Sequence, residues 1–143
     1  MIWFRPTTLE DLQQRFGSLP SLATHLGIEL TGMGPDFLTA RMPVDARTHQ
    51  PYGLLHGGAS CALAETVGSY AASLVIDRSV SRIVGVEINA NHVKGITGGA
   101  VLGTARPLHI GRSTHVWDIR IETEDTRVLV CISRLTVAVI RAQ

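Results

Sequence analysis

His56-Gly57-Gly58, with Glu65 nine residues after the histidine, holds the residue types in this chain that could do chemistry. The surrounding stretch from residue 53 to 76, GLLHGGASCALAETVGSYAASLVI, is otherwise apolar or small, and Glu65 is its only carboxylate. Such a glutamate reads either as one half of an ion pair with an arginine or as a base or nucleophile kept reactive because its neighbours exclude water. The His-Gly-Gly start bears on the second reading. A helix N-terminus presents unpaired N–H groups and the positive end of the helix dipole, and glycines let a substrate oxygen approach them closely. One such donor aimed at developing charge is worth about 3 to 4 kcal/mol, so the Gly57 N–H alone would matter as an oxyanion hole. Turn and packing chemistry would explain the same two glycines.

These groups need a helix to hold them. The pattern predicts one long helix from Gly58 to Ile76, apolar or small on nearly every face and so buried almost all round. At about 100° per residue, Leu63, Val67, Tyr70 and Leu74 form a bulky stripe suited to a sheet. Gly58, Cys61, Ala62, Gly68, Ser69 and Ala72 surround Glu65 on the opposite face, which is expected to admit a ligand or a second subunit. Gly57 and Glu65 lie about 12 Å apart along one helix, too far to act on one carbonyl. Two chains meeting across a two-fold axis, with their helices antiparallel, would bring the helix start of one to the glutamate of the other and make two equivalent sites.

The rest of the chain supplies the scaffold. Thr7 and Glu10 have capping-box spacing, predicting a flanking helix from about Thr8 to Phe16 that stops at Gly17, and residues 21–26 predict another helical turn. GIELTGMGPDFLTARMPV reads as a hairpin. RIVGVEINANHV, GAVLGTARPL, HVWDIRIETE and RVLVCISRLTVAVI read as strands, with Trp117, Ile119 and Ile121 alternating against Asp118, Arg120 and Glu122. No helical pattern separates them, so the sheet is antiparallel and the class α+β.

Composition narrows the function. The 143 residues suit a single domain over 1–143, and with 17% charged residues and a net charge of +1 there is no sign of a nucleic-acid partner. No secretory signal opens the chain, Glu65 argues against a membrane span, and Cys61 and Cys131 lack CxxC spacing, which suits reduced thiols in the cytoplasm. A serine esterase would need a G-x-S-x-G elbow. A metal hydrolase would need paired ligands, which His25, His49, His56, His92, His109 and His115 do not offer; these read as surface or substrate-contacting histidines, and no metal is expected.

MPVDARTHQPYGLLHGGASCALAETVGS, VGVEINANHV and PLHIGRSTHVW together strongly resemble the hotdog-fold acyl-CoA thioesterases of the phenylacetate-pathway-like branch, in particular those acting in 1,4-dihydroxy-2-naphthoyl-CoA hydrolysis and in enterobactin proofreading. The resemblance runs from MIW to RLTVAVI. It implies a curved antiparallel sheet wrapped around one long helix, dimers joined edge to edge and a homotetramer. It implies hydrolysis of an acyl-CoA, in the first place an aryl one such as 1,4-dihydroxy-2-naphthoyl-CoA, with an aryl thioester of an acyl carrier protein as the alternative. Coenzyme A is then part of the substrate, and no cofactor is implied. By motif, Glu65 matches the nucleophile or general base, Gln50, His56 and the Gly57 N–H the groups that hold the thioester, and Ser69 a position near the attacking water. Gly85, His92, Lys94, His109, Gly111, Arg112 and Ser113 fall in segments that match the binding of coenzyme A. A glycine turn beside Arg112 and Ser113 also suits phosphate on its own chemistry, whereas Lys94 stands where an arginine is expected and cannot bind phosphate as a fork. A hydratase of the same fold would place its histidine and carboxylate at other spacings. A non-catalytic acyl-CoA sensor would not need Glu65, and this chain has no room for the DNA-binding segment such sensors carry.

Overall fold

The computed structural model describes residues 1–142. Helices α1 (Leu9–Phe16) and α2 (Leu22–His25) lead into strands β1 (Glu29–Met33) and β2 (Leu38–Pro43), then helix α3 (Gly57–Leu74), then strands β3 (Ser81–His92), β4 (Ala100–Ile110), β5 (Thr114–Thr123) and β6 (Leu129–Arg141). The six strands form one sheet in the order β1-β2-β4-β5-β6-β3, and every neighbouring pair is antiparallel. The path from β2 to β3 crosses the whole sheet, and α3 makes that crossing against its inner face.

Alternation sets which side faces α3. On β5, His115, Trp117, Ile119 and Ile121 are buried while Asp118, Arg120 and Glu122 point away, as the sequence pattern predicts. Small residues then let the helix sink onto the strands. A side chain at Gly103 of β4 would come within 3.0 Å of Leu63, and one at Gly68 of α3 within 2.7 Å of Leu135. Gly68 and the fully buried Ala72 therefore belong to the sheet-facing side, which corrects their assignment to the open face around Glu65. The sheet curves around the helix and covers more of its circumference than a flat sheet would. The open strip is narrower and holds Cys61, Ala62, Glu65 and Ser69, all half-buried.

The bounds of the helices differ slightly from expectation. The α1 N-cap is Thr8, in a reciprocal capping box with Asp11, one residue later than Thr7 and Glu10. α3 starts at Gly57 because His56, in extended conformation, caps it, and it ends at Leu74 rather than Ile76.

The two edges of the sheet are finished differently. β1 lies under α1, whose Leu12 is buried and whose Gln13 amide donates to the Leu30 carbonyl at 2.7 Å. β3 is a twelve-residue edge with Val84 and Val86 exposed. A bulge between Gly85 and Glu87 shifts its register, so that Gly85, Ile88, Ala90 and His92 pair with Val137, Leu135, Ser133 and Cys131 and all face α3. Among the described residues no helix is long and apolar enough to cross a membrane.

Candidate active site

The loop before α3 is tied down by its own backbone. The Thr48 hydroxyl donates to the Pro43 carbonyl at 2.8 Å, the His56 N–H to the Thr48 carbonyl at 2.8 Å and the Leu55 N–H to the Ile96 carbonyl at 2.8 Å. Within it the Gln50 N–H donates to the Leu54 carbonyl, and Gly53 closes the turn with a φ of +79° that favours glycine. The Gln50 side-chain oxygen accepts the Tyr52 N–H, which leaves its NH₂ group as the donor of that side chain.

His56 caps α3 through its side chain, Nδ1 accepting the Gly58 N–H at 2.7 Å. That bond assigns the ring proton to Nε2, which becomes a second donor at the helix start. Among the described residues the Gly57 N–H has no acceptor within the chain, so it is the third. Gly57 is also a contact point: a side chain there would come within 2.8 Å of His92 Nε2, so glycine is what allows β3 to bring that imidazole over the helix start.

Glu65 lies two turns further along α3 and is half-buried. Its Oε1 sits 2.7 Å from where a Gly85 side chain would begin, so the carboxylate rests on the bare backbone of β3. Among the described residues it has no ion-pair partner and accepts no hydrogen bond, unlike the six paired carboxylates of the surface. The reading of Glu65 as half of an arginine pair therefore finds no support in the chain. Cys61, one turn earlier, is a rival nucleophile on the same strip. Burial, and then the Glu65 charge, push its thiol up, and burial pushes Cys131 up to about 11, so both stay protonated and unreactive near neutral pH. A half-buried carboxylate without a cation, two donors at the helix start and a third on the loop before it are groups from which an acyl-transfer hydrolase could be built.

Residues 52–130 match the thioesterase superfamily. The chain belongs to that family. The proofreading thioesterase EntH of Cronobacter turicensis is 52% identical over 139 residues, which cover 97% of this chain and 98% of EntH. The crystal structure of a thioesterase of Haemophilus influenzae matches at 48% identity and a TM-score of 0.91, covering 99% of this chain and 96% of that one. A Staphylococcus aureus protein described as a thioesterase enzyme, solved with a glutamate and separately with a glutamine replaced by alanine, is 38% identical with TM-scores of 0.81 and 0.79, covering 85% and 82% of this chain and 100% and 97% of that one. The fold is the hotdog fold and the protein is a thioesterase.

The NHVKG and HIGRST segments, for which the resemblance implies coenzyme A binding, lie apart. The Lys94 N–H bonds the Val130 carbonyl and His92 pairs with Cys131, whereas Ser113 accepts from the Val139 N–H. Along β6 that is about 25 Å, opposite ends of the sheet within one chain. Lys94, His109, Arg112 and Ser113 are exposed, but the Gly111 N–H already donates to the Thr114 carbonyl at 2.9 Å, so the turn offers phosphate less than its sequence suggests.

His115 departs from the reading of the histidines as surface or substrate groups. It is 1% exposed on the inner face of the thioesterase's sheet, burial pushes its pKa down, and its Nδ1 has no partner, as has the Nε1 of Trp117 two residues on. Its place in the strand alternation, in phase with Trp117, was the signal that would have found it.

Proposed function

We propose that the chain hydrolyses aryl thioesters of coenzyme A, with 1,4-dihydroxy-2-naphthoyl-CoA the leading candidate, at two equivalent sites per dimer that each draw on two chains. The observation that carries this reading is the unpaired Glu65 carboxylate resting on the backbone of an exposed edge strand. As general base it takes a proton from water held beside Ser69, and the hydroxide adds to the thioester carbonyl. The oxyanion is met by the Gly57 N–H, Gln50 and His56 of the other chain. Collapse breaks the carbon–sulfur bond, the proton returns to the leaving thiolate, and the products are the acid and free coenzyme A. As nucleophile, Glu65 would form an anhydride that water then opens. In the Staphylococcus aureus protein the altered glutamine and glutamate stand fifteen residues apart, the separation of Gln50 and Glu65, which supports pairing these two in one site.

One operation removes both distance problems. Antiparallel pairing of two β3 edges lays the His92 end of one chain beside the Ser81 end of the other. The helix start of one chain then approaches the Glu65 of its partner, and the NHVKG segment of one approaches the HIGRST loop of the other. The apolar exposure of Val84 and Val86 on this edge supports such pairing. A homotetramer of two such dimers, working in the cytoplasm, follows from the same resemblance, and an acyl carrier protein as the bearer of the thioester is the alternative to coenzyme A.

A turnover panel of aryl-CoA, aliphatic-CoA and aryl-carrier thioesters at equal concentration tests the substrate. Aryl-CoA is expected to have the highest kcat/KM. Faster cleavage of every aliphatic thioester would overturn the aryl assignment, and cleavage confined to carrier-borne aryl groups would replace coenzyme A with the carrier.

A further inference from the structure

A groove of about 450 Å³ runs between the last turns of α3 and the start of β3, lined in part by Ser69, Tyr70, Ser73, Arg78 and Ile83. Its lining on α3 begins at Thr66, the residue after Glu65. A second groove of about 500 Å³ shares Ser73 and Arg78 with it and adds Arg5 and Arg15. Arg78 therefore stands where the two meet.

The charge at this end is not balanced. Among the described residues Arg15 and Arg78 have no ion-pair partner, and Arg5 reaches Asp77 only at 3.8 Å. The nearby carboxylates, Asp11 and Asp77, accept from the Thr8 hydroxyl at 2.8 Å and the Ser79 hydroxyl at 2.6 Å and feel the charges of Arg15 and Arg5, so Arg78, with Arg82 beside it in the groove, is left without an ion-pair partner among the described residues. The positive charge of both Arg78 and Arg15 is felt at Tyr70, while burial, the larger effect, pushes the Tyr70 phenol up and keeps it a hydrogen-bond donor. The groove thus starts beside the unpaired carboxylate and ends in unpaired guanidinium and phenol donors, and its polar end calls for oxygen acceptors. Along α3, Glu65 and Ser73 are about 12 Å apart, room for a fused or substituted ring.

We propose that this groove takes the acyl group with its far end toward Arg78, so that the enzyme favours acyl thioesters whose distal end carries an anionic or hydrogen-bond-accepting oxygen, Arg78 being a specificity-determining residue. The proposal rests on the hydrolase reading above and shifts its substrate class toward acyl groups oxygenated at the far end, unlike the hydrocarbon far ring of 1,4-dihydroxy-2-naphthoyl-CoA.

The test compares benzoyl-, 4-hydroxybenzoyl- and 4-carboxybenzoyl-CoA on the whole protein and on its Arg78→Ala and Arg78→Glu variants. In the unaltered protein the substituted substrates are expected to exceed benzoyl-CoA in kcat/KM by about tenfold, mostly through KM, the size of a charge-assisted hydrogen bond partly screened by water. Arg78→Ala is expected to erase the advantage and Arg78→Glu to invert it for the carboxylate, each rate being read relative to benzoyl-CoA on the same variant. An advantage for the carboxylate alone assigns the recognition to charge, and one shared by the phenol assigns it to hydrogen bonding; either supports the proposal. Equal rates across the panel, or a preference that survives both variants, would overturn it while leaving the hydrolase reading intact. Failure of the unaltered protein to cleave any of the three would overturn both the proposal and the aryl-CoA reading it rests on.

Discussion

Replacing Glu65 with glutamine is expected to lower kcat by about a thousandfold or more, the range lost when a positioned general base is removed. The substitution keeps shape and hydrogen-bonding capacity but can neither take a proton nor attack a carbonyl. Glu65 makes no ion pair among the described residues and is half-buried, so the fold loses no partner. Thermal unfolding of Glu65→Gln is therefore expected to match the parent protein, which separates lost chemistry from lost structure. A folded variant that turns over aryl-CoA at close to the normal rate would remove Glu65 from the mechanism. Ser69→Ala, one turn away, is expected to cost less, since water can be held by other groups.

Gly85→Ala is expected to reduce kcat by about a hundredfold, the loss associated with misplacing a reacting group by roughly 1 Å. The added carbon would begin 2.7 Å from Glu65 Oε1, closer than any real contact, and what it meets is the far end of a flexible side chain. The carboxylate yields, and the strand does not. Alanine also suits an extended strand at least as well as glycine, so stability is expected to hold or rise slightly. A normal kcat with Gly85→Ala would mean that the resting position of the carboxylate on β3 is not its working position. Gly85, for which the resemblance implies a place in coenzyme A binding, is in the chain the floor beneath Glu65.

The parts legible in the sequence were those that depend on local patterns. The alternation of Trp117, Ile119 and Ile121, the turn at Gly32 to Asp36 and the small-residue run ending near Leu74 each announce one element and its period. Helix α3 and the position of Glu65 on its open side followed from these. What the patterns could not reveal depended on curvature and register. Gly68 and Ala72 sit on the correct arc for the open face of a helix lying on a flat sheet, and only the wrapping of the strands buries them. The bulge after Gly85 changes which residues of β3 face α3, and no composition signal marks it. His115 was hidden because an isolated histidine reads as polar, although its strand phase matched that of the buried Trp117. The separation of Lys94 from Arg112 became visible only when the strand order placed their segments at opposite ends of β6.

The central claim is that each site joins the Glu65 of one chain to the helix start of another, and subunit exchange measures it most directly. Glu65→Ala and His56→Ala are each expected to be inactive alone. After mixing in equal amounts and exchange through a mild denaturant, half of the dimers are mixed, and each of these has one site with both groups intact and one with neither. About one quarter of the parent activity is then expected to return, as two-fold symmetry requires. No recovery, with exchange verified by mass-tagged subunits, would mean that both groups act within one chain and would contradict the account.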